Sequence, residues 1–206
     1  MSGERFLAAI AVAVAPGLAV YSQAQAQGYP PGYDIPIYSS KPESGDSPSE
    51  ISFISENHTN TIVRELERAS DTCSQHDLRR EYVIDCLRVE YERVASLLPR
   101  RGEYEPVRQA LLTAAERLDS IVTQSLDTEA PSVRVPQGGR PRAPRTGRIR
   151  AVQPERADAA IAAAEDIIAE AELVILRSGE TPPRRAAHYS RIATAVNENL
   201  LVLRSA

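Results

Sequence analysis

The sequence predicts an all-α protein, an antiparallel helical bundle of about five helices built from an N-terminal helix and two helical hairpins. Three observations carry that expectation. Apolar residues recur at steps of three and four in five separate segments, which is the period of one helix face. Pro, Gly and Ser stand between those segments, where helices start and stop. From residue 27 onward no stretch alternates apolar and polar side chains as a half-buried strand would.

The first element reads as a leader. Arg5 is followed by an apolar run from Phe6 to Val20, and Ala24-Gln25-Ala26 supplies the small-x-small pattern that signal peptidase accepts. The run is shorter than the roughly 20 apolar residues that span a bilayer, and Pro16-Gly17 interrupts it. Residues 1–26 are therefore expected to be a signal peptide, with Ala24 and Ala26 at the cleavage site and Gln27 as the mature start. That places the protein in the periplasm or outside the cell. Residues 27–47, rich in Gly, Pro, Ser and Tyr, read as a disordered tether.

Residues 48–127 are expected to form a three-helix segment. Ser47-Pro48-Ser49-Glu50 has the composition of a capped helix start, and Ile51, Ile54, His58, Ile62, Leu66 and Ala69 follow on one face. A second start is read at Ser74 to Asp77, with Val83, Leu87, Tyr91, Val94 and Leu98 as its seam and Pro99 to Gly102 as its stop. Pro106 opens a third helix, where Val107, Leu111, Ala114, Leu118 and Ile121 make a heptad-like stripe.

Residues 128–156 lose the period. Arginines stand among Pro and Gly, so the stretch is expected to be a disordered linker or to wrap on a surface, adding little to stability. Residues 157–206 then predict a helical hairpin packed on the first segment. Ile161, Ala164, Ile168, Ala171 and Ile175 face inward on one helix; Tyr189, Ile192, Val196, Leu200 and Leu203 do so on the other. Ser178-Gly179 is read as a stop, with Gly supplying a left-handed residue, and Thr181-Pro182-Pro183 as the next start. The two hairpins are similar enough in layout to raise an internal duplication.

Charge is unevenly spread. Residues 42–127 hold 17 acids and 10 bases, residues 128–157 hold 7 Arg and 2 Glu, and residues 158–206 hold 7 acids and 5 bases. A basic arm thus lies between two acidic segments. With a net charge of −4 the chain as a whole has no generic attraction to nucleic acid. Two cysteines, Cys73 and Cys86, predict one disulfide in an oxidising compartment. If Cys86 sat deep in a helix, residues 71–77 would have to run back along it; four extended residues reach about 13 Å.

The chemistry-bearing residues do not form a recognisable catalytic or metal motif. His58, His76 and His188 have no ligand spacing, and no Gly-x-Ser-x-Gly elbow or phosphate-cradling glycine loop occurs. No cofactor is expected. The best candidate for an interaction site is the basic arm, with Arg140, Arg142, Arg145, Arg148 and Arg150 as anion-binding residues, since guanidinium pairs with phosphate and carboxylate.

Cys73 and Cys86 followed by Leu87, Tyr91 and a helical hairpin resemble small exported cysteine-rich helical domains of the lysozyme-inhibitor type over about residues 70–122. The Trp and later Cys of such domains are missing here. The sequence therefore leaves three functions to weigh. The first is a non-catalytic envelope scaffold that binds an anionic envelope polymer or lipid, or an envelope protein. The second, which the resemblance implies, is a periplasmic inhibitor or chaperone-like module that binds a specific protein. The third is an enzyme with an unrecognised carboxylate site. A closed bundle favours the first, a large exposed apolar groove the second, and an acidic groove with a perturbed carboxylate the third.

Overall fold

The computed structural model describes residues 53–206. The leader with Ala24, Ala26 and Gln27, the tether, and the helix start read at Ser47 lie outside the described residues. The described chain is helical, as the apolar steps predict: α1 (Glu56–Cys73), α2 (Val83–Leu97), α3 (Glu105–Gln124), α4 (Ala157–Gly179) and α5 (Pro183–Arg204). Helix α1 begins at Glu56, with the Ser55 hydroxyl accepting from the His58 N–H at 3.3 Å. The cap satisfies one of the free N–H groups at a helix start.

Each helix packs on its neighbour in sequence, and α5 returns to α1, which closes the ring. The short α2–α3 and α4–α5 turns make each pair antiparallel. The seams of α2, α4 and α5 are buried as the periodicity requires, with Leu87, Tyr91, Ile168, Ile175, Tyr189 and Ile192 fully enclosed. Ile121 of α3 is half-buried, and its neighbour Val122 is fully buried. On α1, Ile62, Leu66 and Ala69 point inward, but His58 is exposed and Thr59 takes the buried position. Among the described residues, no helix is long and apolar enough to cross a membrane.

Gly179 closes α4 without a left-handed backbone: the positive-φ glycines are Gly102, Gly138 and Gly139. Its small size serves a different end. A Cβ placed on Gly179 would lie 2.4 Å from the Tyr189 Cβ, so only glycine lets the start of α5 approach this closely.

Cys73 and Cys86 are joined, with Cα atoms 5.7 Å apart. Cys73 is the last residue of α1. The second helix begins at Val83 after a 3-10 turn over Arg80–Tyr82, later than the Ser74–Asp77 start expected from sequence. Cys86 therefore sits in the first turn of α2, and the chain need not retrace the helix to reach it.

Residues 128–156 overturn the expectation of a disordered linker. This stretch is a strap laid across α1 and α2. Val133 and Ile149 exchange backbone hydrogen bonds at 2.9 Å, and Pro136 pairs with Arg145, so residues 133–149 form a short hairpin. Ile149, Ala151 and Val152 are buried. The strap is tied to the helices by polar contacts. The Gly138 N–H donates to the Thr72 hydroxyl at 2.8 Å, and the Gln75 amide donates to the Pro136 carbonyl at 2.9 Å. The Tyr82 hydroxyl donates to the Pro131 carbonyl at 2.8 Å, and the Val152 N–H to the Glu81 carbonyl at 2.9 Å. Wrapping succeeds because these bonds are made to other elements, so the segment needs no core or period of its own.

Candidate functional site

Helices α1 and α2 form a valley on the outside of the bundle. The strap fills the end of it near the disulfide, touching Arg68 and Thr72 of α1, Gln75 just past its end, and Asp85 and Val89 of α2. The other end is open. There a cavity of about 610 Å³ is lined by His58, Thr61, Ile62 and Glu65 of α1 and by Val94, Leu97, Leu98 and Pro99 after them. The α1 residues recur at three- and four-residue steps, which puts them on one face. Tyr104, fully buried, and Phe53 complete the wall. Phe53 is 69 % and Leu97 60 % exposed, so large apolar side chains stand at the rim in water.

The fixed groups around this groove are held by polar contacts. The Glu103 carboxylate accepts from the Ile54 N–H at 2.8 Å and from the Arg184 guanidinium at 2.7 Å. The Ile54 N–H does most to hold this carboxyl below its usual range, and Arg184 and Arg185 add to it against the cost of burial. The Tyr104 hydroxyl accepts from the Ser55 N–H at 3.1 Å and donates to the Ser55 carbonyl at 3.0 Å. The chain approaching α1 is thus positioned beside the groove.

A second cluster lies just inside. Thr59 contacts the Tyr104 hydroxyl at 2.9 Å and His188 Nδ1 at 2.8 Å, and Glu56 stands 4.0 Å from the same nitrogen. A hydroxyl, an imidazole and a carboxylate invite a triad reading. The geometry does not make one, because both partners meet one ring nitrogen and Thr59 has no exposure. The cluster ties α1 to α5.

The divide between the covered and open halves of the valley is an ion cluster. Arg93 donates to Glu65 at 2.6 Å and to Glu90 at 2.7 Å. Glu90 lies in the seam with no exposure, and one of its oxygens has no protein partner. Burial pushes its carboxyl up, Arg93 opposes that, and the nearby Glu65 charge adds to it. This is a perturbed carboxylate, but one sealed from the groove. Among the described residues no group of three His, Cys, Asp or Glu side chains is gathered within metal-ligand reach.

Of the arginines singled out in sequence, Arg150 belongs to the interior clamp. Its guanidinium and backbone N–H donate to Asp85, at 2.8 and 2.6 Å, and it reaches Asp119 at 2.5 Å. Arg140, Arg142, Arg145 and Arg148 remain exposed on the strap with Arg134, which the anion-binding set left out. The groove itself was missed. Its lining comes from the ends of two helices and a turn, and no local pattern joins Ile62 to Leu97.

Compared with known families, curated proteins and solved structures, the chain matches no family model, no curated protein and no solved structure.

Proposed function

We propose that this protein is an exported binding module whose α1–α2 groove takes an apolar anchor from an extended segment of a partner protein. The open half of the valley carries this reading: a large apolar concavity with Phe53 and Leu97 exposed at its rim. The covered half supports the form of the occupant. There the same valley holds extended chain, with Val135 and Ile149 turned inward. A partner segment would continue that line. Burying one large side chain such as Leu97 against it is worth about 2 kcal/mol. The leader-like residues 1–26 and the bonded cysteines support export.

The test is site-specific photo-crosslinking in envelope extract, with the crosslinker at Leu97 and, as a control, at Leu201, which is also exposed and lies on α5. A discrete adduct from Leu97 alone is expected, mapped by mass spectrometry to one extended partner segment and lost in Ile62→Asp. The same adducts from both positions would sink the reading.

A further inference from the structure

We propose that the outer face of the 133–149 hairpin is a docking surface for the phosphate-bearing headgroups of an anionic membrane. The proposal is independent of the groove and its partner.

A structureless arginine-rich arm offers only its summed charge, but this hairpin is fixed. Val135, Thr146 and Ile149 are buried beneath it, and Arg150 is clamped to Asp85. The exposed side chains are therefore carried on backbone that is fixed to the bundle. Arg134, Arg140, Arg142, Arg145 and Arg148 are all exposed, and among the described residues none of them forms an ion pair. Elsewhere Arg80 pairs with Asp158, Arg117 with Glu170, Arg191 with Glu56 and Arg204 with Glu165. The exposed Arg64, Arg100, Arg101 and Arg177 form no ion pair among the described residues but are scattered over separate elements; the five strap arginines all fall within residues 134–148.

The arrangement also sets like charges against each other. Val133 and Ile149 are a hydrogen-bonded pair, and the exposed Arg134 and Arg148 adjoin it on the two sides of the hairpin, so two like charges leave the same end. Like charges held near one another repel. The Arg145 guanidinium donates to the Arg134 carbonyl at 2.8 Å, which holds a third positive group on the same strip. An anion bound across these groups removes the repulsion, and the planar guanidinium fork suits phosphate oxygens.

The shape selects the source of phosphate. The cleft beside the hairpin, about 350 Å³, has Glu67 and Asp71 in its lining along with Arg64, Arg68 and Arg140, so its charges offset one another. Of the five strap arginines only Arg140 lines this cleft; Arg134, Arg142, Arg145 and Arg148 stand outside it. A surface that presents several guanidiniums outward fits an array of headgroups better than one enclosed ion. No large exposed apolar side chain lies within residues 128–156. Binding is therefore electrostatic, lies at the headgroup level, and falls with salt.

The experiment is vesicle co-sedimentation of the full chain with phosphatidylglycerol-containing and with pure phosphatidylcholine vesicles. The wild type is compared with R134Q/R140Q/R142Q/R145Q/R148Q, with folding checked by circular dichroism. The wild type is expected to prefer the anionic vesicles at low salt, to lose the preference as salt rises, and to be unaffected by millimolar inorganic phosphate. Each charge near such a surface changes affinity roughly fivefold, so the quintuple variant loses the preference outright. A control variant, R100Q/R101Q/R177Q, should keep it. No anionic preference in the wild type, retention of it in the quintuple variant, an equal loss per charge in the control, or abolition by free phosphate would each overturn the proposal.

Discussion

Asp85, with no exposure, accepts hydrogen bonds from both the backbone and the guanidinium of Arg150, 65 residues further along the chain. Arg88 approaches the same carboxylate from within α2 at 2.5 Å. Burial alone would raise the Asp85 carboxyl, but the Arg150 and Arg88 hydrogen bonds outweigh it and hold the group below its ordinary value. The strap is thereby clamped to the bundle through a buried charge.

Asp85→Asn is expected to destabilise the protein. Removing one partner of a buried pair costs about 3 kcal/mol. Arg150 is about a third exposed and keeps Asp119, which lowers the expected loss to about 2 kcal/mol. Urea denaturation checks the value. An unchanged midpoint would show that the strap is not held by this clamp, as would an unchanged midpoint after deleting residues 130–150.

Replacing both cysteines by serine is expected to cost about 3 kcal/mol, since the bond closes a loop of sequence separation 13. Neither sulfur-bearing residue is more than 1 % exposed. Alkylation after mild reduction should therefore track unfolding, and thermal melts of the double variant give the energy. Rapid labelling of the native protein would contradict this.

Gly179→Ala is expected to lower stability by about 1–3 kcal/mol through overpacking. The added carbon meets the Tyr189 Cβ at 2.4 Å and Cγ at 2.8 Å, which are not flexible ends. Tyr189 cannot retreat freely, because its hydroxyl donates to the Glu103 carbonyl. Combining Gly179→Ala with Tyr189→Gly, which removes the opposing Cβ as well as the ring, should recover part of the loss in a double-mutant cycle.

Two buried carboxyls give opposite pH dependences. Glu90 has its folded value raised above 4.5. The folded state binds that proton more tightly, so stability falls as pH rises from about 4.5 through the raised value. Asp85 has its folded value lowered below 3.8. Its contribution is complete above that point and is lost as pH falls through the lowered value. Urea melts across acid pH should show Glu90→Gln flattening the first limb and Asp85→Asn the second. A curve unaltered by both would show that neither group is linked to folding.

The helices were legible because burial on one face leaves a mark at every third or fourth residue. Leu87, Tyr91, Val94 and Leu98 needed nothing else to be placed. The start of α1 was harder, since Ser47-Pro48-Ser49-Glu50 and Ser55-Glu56 both have capping chemistry, and the hydrogen bonds from Glu103 and Tyr104 that fix the described one come from distant sequence. The strap was hidden for the same reason. Val135, Ile149 and Val152 look isolated among Arg and Pro until Thr72, Gln75, Glu81 and Asp85 are brought beneath them. Gly179 looked like a stop from its type alone, and only the position of Tyr189 reveals its use.

The strap joins α3 to α4 in sequence but rests on α1 and α2, and that crossing dictates an order of assembly. Its binding surface does not exist until α1 and α2 lie side by side, while the α2–α3 and α4–α5 hairpins can form from contacts close in the chain. Closing the long loop between Asp85 and Arg150 is therefore expected to come late. Interactions made late leave the folding rate nearly unchanged and act on escape from the native state. The clamp thus works as a brake on unfolding: breaking it should speed the unfolding limb of the kinetics while refolding proceeds at its former pace.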